Sequence, residues 1–73
     1  MLGYTEVTDA GLVHLKGFEK LYWLNLIETK VTDAGLVHLK GLRNLRILYL
    51  GDTQITYAGV KNLQQALPNC EFP

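Results

Sequence analysis

Val7-Thr8-Asp9-Ala10-Gly11-Leu12-Val13-His14-Leu15-Lys16-Gly17 recurs without a change as Val31 through Gly41. Leu21, Leu24, Leu26 and Thr29 recur in the same frame as Leu45, Leu48, Leu50 and Thr53, 24 residues later. A looser third copy begins with Ile55-Thr56-Tyr57-Ala58-Gly59-Val60-Lys61-Asn62-Leu63. A fixed period of this size marks a repeat architecture, in which each unit buries its apolar face against its neighbours. The frame divides a single domain, residues 1–73, into a truncated repeat (1–6), two full repeats (7–30 and 31–54) and a C-terminal partial repeat or cap (55–73).

Each copy has two halves with different periods. Leu21-Tyr22-Trp23-Leu24-Asn25-Leu26 and Leu45-Arg46-Ile47-Leu48-Tyr49-Leu50 end in an alternating L-x-L core, the period of a half-buried strand. Strands are expected near 22–26 and 46–50, with a vestigial one near 70–72. The leucines point inward, and Trp23, Asn25, Ile47 and Tyr49 point to the opposite face. The other half reads as a helix. Thr8, Thr32 and Thr56 suit N-cap positions, and Asp9 and Asp33 suit the positive end of a helix dipole. Leu12, Leu15 and Phe18, like Leu36, Leu39 and Leu42, have the spacing of a face turned to the strand layer. Helices are expected near 9–17, 33–41 and 57–66. Gly11 and Gly35 sit in first turns, where glycine weakens a helix, so close approach between neighbouring units is the expected reason for them.

The strand segments and the turns after them fit L-x-x-L-x-L-x-x-T-x-V/I, and this pattern resembles the leucine-rich-repeat family. Thr29 and Thr53 stand where that family often has asparagine or cysteine. The Thr-Asp-Ala-Gly-Leu run is similar to the ribonuclease-inhibitor-like and cysteine-containing branches, and the near-identity of successive copies to tandem-repeat bacterial members. The resemblance covers essentially the whole chain. It implies an α/β fold: a right-handed leucine-rich-repeat solenoid with parallel β-strands on the concave side and α-helices on the convex side.

Size and charge narrow the function. Seventy-three residues are near the lower limit for a self-sufficient core. Seven basic residues balance seven acidic ones, which points neither to nucleic acid nor to an anionic membrane. No apolar stretch approaches the length of a membrane span. Met1 leads directly into repeat sequence without a charged-then-apolar leader, and the single Cys70 has no internal disulfide partner. Both features slightly favour a cytoplasmic, reducing compartment.

Residues capable of chemistry form no catalytic constellation. There is no serine in the chain. Cys70 aligns with Leu45 and reads as a small buried hydrophobe rather than a nucleophile. His14 and His38 occupy equivalent positions, but a metal would need further ligands and the third copy supplies Asn62. Asp9 and Asp33 read as copied helix starts, and Tyr57 breaks their series. The chain is therefore expected to be no enzyme, with no cofactor and no metal.

The outward strand positions are more informative. Stacking the copies puts Trp23, Ile47 and Phe72 in one row, Met1, Asn25 and Tyr49 in a second and Tyr22, Arg46 and Glu71 in a third; Gly3, Ile27 and Gly51 lie beside Tyr4, Glu28 and Asp52. Aromatic residues and arginine are enriched in binding hot spots. The expected function is a non-enzymatic protein–protein interaction module that binds through Tyr22, Trp23, Asn25, Arg46, Ile47, Tyr49, Glu71 and Phe72. The partner is a protein of unknown identity, with no role for nucleic acid or membrane. One alternative is a structural, self-assembling unit: a homo-oligomer joined through its N-terminal end by Leu12, Leu15, Phe18 and Leu24. Another is a substrate-recognition segment of a larger ligase or kinase.

Overall fold

The computed structural model describes residues 7–73. The truncated repeat 1–6, and with it the expected places of Met1, Gly3 and Tyr4, lies outside the described residues. Two three-residue strands, Trp23–Asn25 (β1) and Ile47–Tyr49 (β2), pair in parallel with Trp23 beside Ile47, Leu24 beside Leu48 and Asn25 beside Tyr49. This register is the 24-residue offset of the sequence. The backbone ladder runs past both strand ends. Arg46 N donates to Tyr22 O at 2.8 Å, Leu26 N to Tyr49 O at 2.9 Å and Glu28 N to Gly51 O at 3.0 Å.

Behind the strands lie three helical segments. The first two, Asp9–Leu15 and Asp33–Leu39, are 3₁₀ helices, and only the third, Tyr57–Ala66 (α1), is an α-helix. The α-helices expected near 9–17 and 33–41 are thus corrected to shorter and tighter segments. A 3₁₀ segment rises about 2.0 Å per residue, so seven residues cover about 14 Å. An α-helix rises about 1.5 Å per residue, so the ten residues of α1 cover about 15 Å. The strand offset is 24 residues from Trp23 to Ile47 and again from Ile47 to Glu71. The three segments thus span similar lengths within frames of equal size.

The copies are tied together on the helical side by a side-chain bond. Asp9 accepts from Thr32 N at 2.7 Å and from Thr32 Oγ1 at 2.5 Å. Asp33 does the same with Thr56, at 2.8 Å and 2.5 Å. Each carboxylate therefore holds the N-cap threonine of the next unit by two bonds, which are stronger for being made to a charge. The threonines keep their capping role as well: Thr32 Oγ1 accepts from Ala34 N at 3.3 Å and Thr56 Oγ1 from Gly59 N at 3.2 Å. A Cβ on Gly35 would strike the Asp9 carboxylate, with Asp9 Cγ at 2.9 Å, and a Cβ on Gly59 would strike that of Asp33, with Cγ at 2.5 Å. The close approach expected at Gly35 is the approach of this carboxylate.

The leucines of both halves meet in one core. Leu12, Leu15, Leu24, Leu26, Val31, Leu36, Leu39, Leu42, Leu45, Leu48, Leu63, Leu67 and Cys70 are buried, and Leu21, Leu50 and Ile55 pack half-buried against them. Among the described residues Thr29 is the one buried polar residue, and its Oγ1 donates to Leu26 O at 2.8 Å. Thr53 Oγ1 donates to Leu50 O at 2.7 Å in the equivalent turn. Phe18 departs from the expected pattern: its counterpart Leu42 is 1% exposed, whereas Phe18 is 57% exposed. Leu42 lies between two units, whereas Phe18 has a described neighbour on one side only.

The expected right-handed solenoid does not hold. The chain measures 25 × 25 × 19 Å and contains one two-stranded parallel sheet with three short helices among the described residues. That is too few units to form an elongated coil with its own curvature. The fold is a small α/β unit whose copies stack in parallel.

Two expected outcomes follow from the carboxylate bonds. Gly35→Ala should destabilise the fold by about 1–3 kcal/mol in urea melts, because the new methyl displaces Asp9. Gly11→Ala, whose Cβ would meet only Val7 Cγ1, at 3.8 Å, among the described residues, should be neutral or stabilising by up to about 1 kcal/mol. Equal effects at the two glycines would contradict the arrangement. Acid should act through Asp33, whose bonds from the Thr56 hydroxyl and amide lower its pKa below the ordinary 3.8. A group with a lowered folded pKa contributes stability that is fully present above its unfolded value and is lost as pH falls through the folded value. Stability should therefore drop below about pH 3.8, and the Asp33→Asn variant should lack that part of the drop.

Candidate functional site

Side chains alternate along a strand, so burial of Leu24 and Leu48 forces Trp23, Asn25, Ile47 and Tyr49 onto the outer face of the sheet. All four are half-buried. The Trp23 and Tyr49 rings lie diagonally across the two strands in an edge-to-face contact, with centroids 5.7 Å apart and planes at 65°. Diagonal neighbours on a sheet are within reach of aromatic side chains, and this geometry suits their quadrupoles. The Asn25 side chain is fixed from below, since its Oδ1 accepts from Ile27 N at 2.9 Å.

One end of this face is formed by Tyr22, Arg46, Ile47, Asn69 and Glu71, which line a shallow cleft. Tyr22 is 58% exposed. The Arg46 guanidinium folds back on its own chain: Nη1 donates to Arg43 O at 2.8 Å and to Leu45 O at 3.2 Å. The other end is formed by the turns after the strands. Glu28 and Asp52 occupy equivalent places there with φ of 61° and 57°, the left-handed region. A non-glycine residue rarely adopts it. Both side chains are exposed.

The third row of the face is shifted from its expected place. Glu71 bridges in parallel to Ile47, with Glu71 N donating to Arg46 O at 2.7 Å and Leu48 N to Glu71 O at 2.9 Å. The expected row placed Phe72 beside Ile47 and Glu71 beside Arg46. Phe72 instead packs half-buried against the core. Trp23 and Ile47 thus adjoin each other as expected, and Phe72 leaves that row.

The residues expected at a self-association edge divide differently. Leu12, Leu15 and Leu24 are core side chains, and among the four only Phe18 reaches solvent. Leu12 and Leu15 turn inward and join the core cluster that also holds the strand leucines Leu24 and Leu48. A partner could touch Phe18 without any change in the fold, but not the three leucines.

No chemistry converges elsewhere. His14 is exposed and His38 half-exposed, and no group of three or more His, Cys, Asp or Glu residues among the described residues could hold a metal ion. No described helix is long and apolar enough to cross a membrane. The groove between the second 3₁₀ helix and α1 contains Asp33, Leu36, Val37 and Asn62, but the Asp33 carboxylate is engaged by Thr56. Cys70 is 7% exposed, and burial pushes its thiol pKa up, against a smaller opposing pull from Arg46.

The outward aromatic positions are those the strand period indicates. Sequence reasoning missed the second role of Asp9 and Asp33 and the left-handed turns at Glu28 and Asp52. A signal for the first was present: each Asp precedes a threonine by 23 residues, and the series stops at Tyr57, which has no carboxylate. No protein-family model matches this chain, and no curated protein is significantly similar to it in sequence.

The thiol provides a check on the packing. Cys70 should react with iodoacetamide at neutral pH about tenfold or more slowly in the native chain than in urea, because it is both shielded and protonated. Equal rates would place Cys70 outside the core.

Proposed function

We propose that this chain is a non-enzymatic protein-interaction unit of the leucine-rich-repeat type, which binds its partner on the outer face of the two-stranded sheet. The observation that carries the reading is the Trp23–Tyr49 pair with Tyr22 beside it. Aromatic surface of this size is set on rigid strands, so little conformational freedom is lost on contact. Tyr22, Trp23, Ile47 and Tyr49 supply the apolar contacts. Asn25, Arg46 and Glu71 supply polar ones at the margin. Phe72 is left out, since it serves the core. The helical side acts as backing, with its carboxylates already engaged between units. The resemblance of the repeats to leucine-rich repeats supports the reading by analogy alone, because similar architectures serve different functions.

A display selection of peptides on the immobilised chain tests the assignment of the face. Selected binders should lose affinity about tenfold or more on Tyr22→Ala/Tyr49→Ala, the loss of about 1.4 kcal/mol or more expected at a hot spot. They should keep affinity on Val13→Ala/Val37→Ala, two exposed positions of the helical side. Binders that respond to the valine changes, or to neither pair, would contradict the proposal.

A further inference from the structure

The overall charge balance conceals an unequal distribution over the fold. The strand segments and their turns, 22–30, 46–54 and 70–73, contain Glu28, Asp52 and Glu71 against two cations, Lys30 and Arg46. Arg46 is partly committed to its own backbone carbonyls. Lys16, Lys20, Lys40, Arg43 and Lys61 lie in the helical segments and the loops that leave them. The carboxylates of Glu28, Asp52 and Glu71 are exposed and have no ion pair among the described residues. Glu28 and Asp52 also stand on adjacent rungs of the ladder, joined by the bond from Glu28 N to Gly51 O at 3.0 Å. Like charges on neighbouring rungs repel.

Between the two acidic ends lie Trp23 and Tyr49, with Tyr22 at the margin. Aromatic faces attract cations through their ring quadrupole, most strongly for tryptophan and for arginine over it. The same side of the sheet therefore offers aromatic surface for the flat guanidinium and carboxylates for its charge. A negatively charged partner would meet Glu28 or Asp52 at one end and Glu71 at the other.

We propose that the outer face of the sheet docks an extended, arginine-rich segment of a partner protein, with a guanidinium against Trp23 and Tyr49 and flanking basic side chains opposite Glu28, Asp52 and Glu71. The inference rests on the protein-binding reading above and adds the chemistry of the partner. An extended peptide fits because its side chains alternate with a spacing close to that of the strands beneath it. The surplus of carboxylates also makes binding strongest at low salt.

Trp23 is the only tryptophan of the chain, so its emission reports on this face directly. Titration with an oligo-arginine peptide at low salt should change Trp23 emission saturably, and an oligo-glutamate peptide should leave it unchanged. Glu28→Gln/Asp52→Asn should weaken the oligo-arginine response about tenfold or more. Glu71→Gln should weaken it less, and Glu19→Gln, on the loop after the first 3₁₀ helix, should not alter it. A flat titration with oligo-arginine, an equal response to oligo-glutamate, or an unchanged affinity in the double variant would overturn the proposal. The display selection separates the two levels. Sheet-face binders lacking basic residues would sink this inference and leave the protein-binding reading standing; binders confined to the helical side would remove both.

Discussion

A carboxylate that reaches from one repeat into the next is the constraint on which the rest of this structure depends. Asp9 holds the amide and hydroxyl of Thr32, and Asp33 holds those of Thr56. Hydrophobic burial alone is non-directional and would let neighbouring units slide or tilt. Two bonds to one charged group fix both separation and orientation. The glycines at 35 and 59 follow from this, since any side chain there would occupy the space of the carboxylate. Thr32 and Thr56 serve the helix and the neighbouring unit at the same time, whereas Thr8, expected to cap the first segment, makes no side-chain capping bond.

Orientation on the helical side sets register on the sheet side. With the units held one frame apart, Trp23 falls beside Ile47, and the ladder continues through Glu28 and Gly51. The buried turn threonine, Thr29, closes each strand by bonding to Leu26 O, so the chain turns towards the next unit without leaving a polar group unsatisfied. The face that results is aromatic at its centre, with exposed carboxylates at its margins. The arrangement of this face is thus a consequence of how the repeats are joined, and the residues that join them do not belong to it.

The repeat frame, the parallel pairing and the inward leucines were legible in the sequence because they are periodic, and period depends only on residue order. The α-helix at Tyr57–Ala66 was legible for the same reason. The 3₁₀ form of the first two helical segments was not, because the N-cap threonine position and apolar spacing that mark them also mark the α-helix of the third copy. The place expected for Phe72 assumed that Gln65-Ala66 lengthens the last copy by one residue; the bridge between Ile47 and Glu71 instead keeps the 24-residue offset, so Glu71 rather than Phe72 faces Ile47. The self-association edge failed for Leu12, Leu15 and Leu24 because the core of so small a unit takes up every leucine that the spacing supplies. For the candidate site, the strand alternation placed Trp23 and Tyr49 correctly but not Phe72, whereas the left-handed turns that expose Glu28 and Asp52 leave no mark in residue type.

The central role of the inter-repeat carboxylate is tested most directly by a double-mutant cycle on Asp9 and Thr32, the more buried of the two pairs. Stability is measured by urea unfolding for the parent, Asp9→Ala, Thr32→Val and the double variant. A coupling energy of about 1 kcal/mol or more is expected, since each single change removes the same charge-assisted bond. Additive effects, with a coupling near zero, would show that the leucine core alone holds the units in register.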